Sequence, residues 1–114
     1  MSLMDKRDEV VAALEGIEEV KPFPVRQKLL QFGDTWVVQG SVVIDPPSGL
    51  FEDNWFVVSF LGQDELRAAQ WMSDHWQQIV TAVETVAVVD RVDMVDIGTK
   101  NETQFTMQIT ARSE

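Results

Sequence analysis

The chain contains no cysteine and no tyrosine, and histidine occurs once, at position 75. The lack of cysteine excludes a disulfide framework, a thiolate metal site and a cysteine nucleophile, so stability has to come from packing. The lack of tyrosine removes one class of acid, and a single histidine cannot form a metal-binding pair. No phosphate-cradling glycine motif and no serine elbow are present either. Long hydrophobic runs are missing: none approaches the roughly 20 residues of a membrane-spanning helix, and no charged-then-apolar leader precedes the first helical segment. A soluble protein made in the cytoplasm is expected. Basic residues are scarce, with nine Lys and Arg against nineteen Asp and Glu and a formal charge of -10. Such a charge repels phosphate backbones and anionic membranes at long range, which disfavours a direct grip on nucleic acid or membrane.

What is present describes one ordinary globular unit. At 114 residues, 45% hydrophobic and 25% charged, the chain suffices for one core but not two. Met1 to Leu3 read as expression-vector residues before a native start at Met4, which leaves 4–114 as a single domain. Asp5 is placed to cap a first amphipathic helix, with Val10, Val11 and Leu14 at helical spacing and Gly16 as its stop. Residues 17–34, with Pro22, Pro24 and Gly33, read as a connection with room for a short strand, whose Val20, Phe23 and Leu30 tuck against the core. TWVVQGSVVI (35–44) is β-branched and alternating, DPPSGLFEDN (45–54) is a long turn, and WFVVSFL (55–61) is a second strand. From Asp64 to about Val83 an apolar stripe of Leu66, Ala69, Met72, Trp76, Ile79, Val80 and Val83 predicts an amphipathic helix with Trp76 in the core. Residues 84–97 are strand-like, and TQFTMQITA (103–111) alternates Phe105, Met107, Ile109 and Ala111 with polar residues. The expected fold is α+β in the order α-β-β-α-β-β: a two-layer, mostly antiparallel sheet of about four strands with two helices on one face.

In this frame QWMSDHWQQI (70–79) is a helix rather than a catalytic site. Asp74 adjoins His75 in sequence but points about a third of a turn away, so the two do not form the dyad that nucleophilic catalysis needs. Trp71 and His75, four apart, are expected to stack on the shoulder of the helix. Asp90, Asp93 and Asp96 have a superficial likeness to a calcium loop, but that loop needs alternate oxygens and a glycine at its sixth position. They read as a solvated or pore-facing strand edge that resists wrong pairing. Asp45, Glu52 and Asp53 flank the long turn and read as solvated tip residues rather than paired catalytic carboxylates. No enzyme, cofactor or metal is expected.

Four tryptophans and six phenylalanines, with strands apolar on both faces, exceed what a two-layer sheet needs to bury, so part of this surface is expected to meet another copy. The candidate interface comprises Trp36, Val37, Val43, Leu50, Phe51 and Trp55 of the first hairpin. Trp71 and His75 of the helix and the acidic set Asp90, Asp93 and Asp96 complete it. The succession of a short helix ending in LEGIEEV, a proline-bearing link, the Trp36 strand, a long turn, the WFVVSFL strand, a helix of the DELRAAQWMSDHW kind and a closing hairpin resembles the tail terminator (tail-completion) proteins of long-tailed bacteriophages and prophages. The resemblance is one of architecture over nearly the whole chain, with no motif that carries individual residues across. It implies a structural subunit that forms a ring, commonly a hexamer, capping the tail tube and offering a docking face to the head-side connector protein. Its location would then be the host cytoplasm during assembly and the virion tail afterwards. Other head-tail joining or neck proteins share this size, and a stand-alone small-ligand or peptide-binding domain is the alternative of a different class.

Overall fold

The computed structural model describes residues 3–45, 50–99 and 101–112. It is an α+β fold in the order α1 (Leu3–Leu14), β1 (Lys21–Phe23), β2 (Asp34–Asp45), β3 (Leu50–Phe60), α2 (Glu65–Glu84), β4 (Val88–Asp96) and β5 (Phe105–Arg112). The strands form one sheet in the order β1-β2-β3-β5-β4. Every pairing is antiparallel except β1 with β2, which is parallel with Phe23 opposite Trp36. Both helices pack on one face.

Four details depart from the sequence expectation. α1 already includes Leu3, so Asp5 lies in its first turn rather than capping it; Gly16, at φ +91°, does stop it. The short strand for which the connection had room is present as β1 and makes the sheet five-stranded rather than four-stranded; its Pro22 is tolerated because it sits at the sheet edge. The long turn is shorter than its composition suggests: Ile44 pairs with Phe51 and Asp45 with Leu50, so 50–54 belong to β3 and only 46–49, outside the described residues, separate the strands. A register shift between Gln39 and Val42 divides this hairpin. Since β5 pairs only with Asn54–Phe60, the distal part of the hairpin continues beyond the sheet as a two-stranded ribbon. Finally, residues 84–87 complete the last turn of α2, with Val86 and Ala87 N–H donating to the Val83 carbonyl, and β4 starts only at Val88.

The core lies between the sheet and the helices. Alternation on the strands sends Val37, Trp55, Val57, Met107, Ile109 and Ala111 into it, against Val10 and Leu14 of α1 and Ala68, Trp71, Ile79 and Val83 of α2. Trp55 is wholly buried at its centre. A smaller cluster occupies the opposite face, where Leu30 of the connection and Phe56 pack against Trp36, Val58 and Phe60. The connection folds back across β2, and Gly33 makes this possible. Its φ is +92°, and a β-carbon there would overlap the Glu19 carbonyl; Lys21 N–H donates to the Gly33 carbonyl and Gly33 N–H to that of Phe60. At the same corner Thr35 Oγ1 donates to the Gly33 carbonyl, so the buried 2.9 Å contact with Ser59 is a hydrogen bond donated by the serine.

Candidate functional site

The side chains that sequence reasoning nominated fall into three groups. Trp36, Val37, Trp55 and Trp71 are buried within the single chain. They hold the fold together, and Trp36 and Trp71 reach the surface only by a narrow edge. Val43, Leu50 and Phe51, with Asp45, Glu52 and Asp53, lie where side chains are outside the described residues. The remaining four are on the surface, around α2 and β4.

His75 stacks on Trp71 as its spacing predicts, with ring centroids 4.3 Å apart and planes 19° from parallel. Its partners were not legible. Nδ1 lies 2.8 Å from the Trp71 carbonyl and Nε2 3.3 Å from a carboxylate oxygen of Glu19. A carbonyl only accepts, so Nδ1 is the donor in the contact with Trp71. Glu19 has φ +68°, an uncommon backbone state for a residue other than glycine. It comes from the α1–β1 connection, 56 positions away in sequence, which no local pattern reveals. These residues line an open cleft of about 430 Å³ with Lys21, Phe32, Arg67, Gln70 and Asp74. The Arg67 guanidinium lies 4.0 Å from the Phe32 ring centroid, and Phe32 meets Trp71 edge-on at 6.1 Å. The cations and carboxylates here are mixed, and Asp74 lines the cleft while Glu19 is the carboxylate that meets the ring.

The three aspartates of β4 do not converge. Asp90 pairs with Arg112 at 3.2 Å and Asp93 with Arg91 at 2.9 Å. Asp96 Oδ1 accepts from the backbone N–H groups of Gly98 and Gln104. These two bonds favour the ionised carboxylate and hold its pKa below the ordinary 3.8. Among the described residues no three His, Asp or Glu side chains are grouped to hold a metal ion.

The apolar stripe of α2 is rotated from its expected position. Ala68, Trp71, Ile79 and Val83 face the core, about a fifth of a turn from the predicted centre at 100° per residue. Leu66 is exposed and Trp76, expected in the core, keeps 37% of its surface. The reason is tertiary: α2 packs on α1 as well as on β4 and β5, which turns its inward face toward Trp71. The row Met72, Trp76, Val80 is left on the outer flank. There it lines an open, mainly apolar groove of about 440 Å³ with Val89, Asp90, Arg91 and Val92 of the edge strand β4.

A second apolar surface lies on the β1–β2 connection, where Leu29 is 84% and Val25 47% exposed. Val25 and Arg26 line a shallow groove with Val38 and Trp36, and the Arg26 guanidinium sits 5.9 Å from the Trp36 ring centroid. Its signal was present in the sequence: KPFPVRQKLLQF carries three cations and no acid in a chain of charge -10. No protein-family model matches the chain, and no curated protein is significantly similar to it.

Proposed function

We propose that this chain is a structural, non-enzymatic subunit of the tail terminator kind, which assembles into a ring on the end of a phage tail tube and offers a face to the head-side connector. The observation that carries the reading is the placement of unsatisfied apolar surface. Trp76 with its groove lies beside one edge strand, and Val25 with Leu29 lies at the other side of the sheet. Surfaces so placed suit a subunit that meets different neighbours on its two sides, as a ring requires. The hairpin ribbon supports the same reading, because two strands alone are marginal in water and gain from contact with a neighbour or tube. The alternative of a small ligand held between sheet and helices is less favoured, since Trp55 and the side chains around it fill that layer.

The test is mass measurement by light scattering with and without purified tail tubes, coupled to electron microscopy of the tubes. Rings in solution or caps on tube ends are expected. A protein that stays monomeric throughout and leaves tube ends bare would overturn the reading.

A further inference from the structure

We infer that copies join edge to edge: the outer edge of β4 in one copy pairs, main chain to main chain, with the outer edge of β2 in the next, so that one sheet runs on from subunit to subunit. The inference rests on the ring reading and specifies its interface.

The direction of the main-chain hydrogen bonds is the first argument. Ile97 N–H donates to the carbonyl of Gln104, the residue opposite it in the β4–β5 register. In an antiparallel ladder bonded and non-bonded pairs alternate. Arg91, Asp93 and Val95 therefore bond to β5, while the N–H and carbonyl groups of Val92 and Met94 point away from it, to the side where β4 has no neighbour. Leu61 N–H likewise donates to the carbonyl of Phe105 opposite. Carried through β3, the alternation makes Trp36 and Val38 the residues of β2 that bond to β3, and it turns Gln39 outward. Because β1 ends opposite Trp36, β2 has no strand on that side from Val38 to Asp45 among the described residues.

The ring reading then selects which edge meets β4. Pairing β4 with β4 is a two-fold contact that uses the same edge of both copies and stops at a dimer, whereas a ring joins two different patches. The other open edges among the described strands belong to β1, to β3 beyond Asn54 and to β2. β1 is three residues long, and its Pro22 has no N–H to offer. β3 beyond Asn54 has only Leu50–Asp53 in register, and Glu52 and Asp53 are acids. β2 offers an uncharged run from Val38 to Ile44. In a chain of charge -10, an uncharged strand approaches a second copy with least repulsion.

Both edges are also bordered by apolar surface. Along β4 the groove of Met72, Trp76 and Val80 reaches Val89 and Val92. Beside β2, Val38 and Val25 are exposed and share a groove with Trp36. In strand addition the main-chain bonds supply affinity and the flanking pockets specificity. The register shift between Val89 and Arg91 interrupts the start of β4, as bulges at sheet edges do, which leaves Arg91–Asp96 as the regular stretch for the added strand. A closed ring leaves neither edge open, which removes the hazard of uncontrolled pairing that an exposed strand carries.

Amide hydrogen exchange reads these bonds one by one. The amides of Val92, Met94 and Gln39 are expected to exchange freely in the monomer and at least about tenfold more slowly in the assembled protein, in solution or on tail tubes, whereas those of Arg91, Asp93 and Val95 are protected in both. Gln39→Pro removes an outward N–H without touching the β3 ladder, a change tolerated at an open edge. It should raise the concentration needed for assembly about tenfold, the effect of one hydrogen bond lost at each contact, and leave the monomer's melting temperature nearly unchanged. If light scattering shows assembly while Val92, Met94 and Gln39 exchange as fast as in the monomer, this interface is wrong and the ring stands. Protection of Val92 and Met94 without Gln39 means that a different strand occupies the β4 edge and also overturns it. Absence of assembly under every condition, tubes included, removes the ring and the interface together.

Discussion

Asp96 shows how a residue that resembles part of a metal loop is used up by local structure. Its carboxylate oxygen accepts from Gly98 N–H at 2.8 Å and from Gln104 N–H at 3.0 Å, bridging the two ends of the β4–β5 turn. Gly98 fits because a β-carbon there would overlap the Glu102 carbonyl. Both bonds favour the anion, so the folded pKa lies below 3.8. A carboxylate with a depressed folded pKa contributes stability in full above its unfolded value, near 4, and loses that contribution as pH falls through the folded value. We therefore predict that the Asp96 carboxyl resonance titrates with a midpoint below 3.8, and that the Gly98 and Gln104 amide signals move with it. Asp96→Ala should abolish both amide responses. A midpoint at or above 3.8 would mean that the turn is not closed in this way.

At the scale of elements, α2 separates what burial does from what amphipathicity suggests. Trp55 is fully buried and Trp71 nearly so, whereas Trp76 is more than a third exposed. Truncation of a buried tryptophan leaves a cavity and typically costs about 3–5 kcal/mol, while surface changes usually stay within about 0.5 kcal/mol. Trp55→Ala is accordingly expected to unfold the monomer or nearly so, and Trp76→Ala to leave its stability close to the parent's while weakening assembly. Urea titration at concentrations below assembly distinguishes the two, and equal losses would contradict the burial pattern. The same helix shows what was legible. Periodicity located α2 and the four longer strands, and i, i+4 spacing gave the Trp71–His75 stack, because these depend on neighbours along one element. The rotation of the stripe, the parallel pairing of Lys21–Phe23 with β2 and the Glu19 contact to His75 depend on where distant segments land, which local patterns do not encode. The hairpin was misjudged because prolines and acids at 45–54 suggest a loop, yet the ladder continues through Leu50–Asp53 once the opposite strand is in register.

Across the whole molecule, two electrostatic effects act on assembly with opposite signs. Every pair of copies repels through a charge of -10 on each, a long-range effect that salt screens. Any contact between copies can attract electrostatically only through a few exposed charges at its rim, and exposed pairs of this kind contribute only about 0–1 kcal/mol each. No helix among the described residues is long and apolar enough to cross a membrane. Because repulsion involves the total charge whereas attraction involves a few exposed groups, repulsion governs at low salt. Raising ionic strength from about 0.01 M to 0.15 M shortens the Debye length from about 30 Å to 8 Å, which removes most repulsion across a subunit while barely affecting charges in contact. Light scattering should therefore show the assembly midpoint falling to lower protein concentration over this range. Between 0.15 M and 1 M, where the length drops to about 3 Å, the rim pairs weaken too and the apolar contact holds, so the midpoint should change little. Assembly strongest at the lowest salt would reverse the ranking and show that rim charges, rather than apolar surface, dominate the contact.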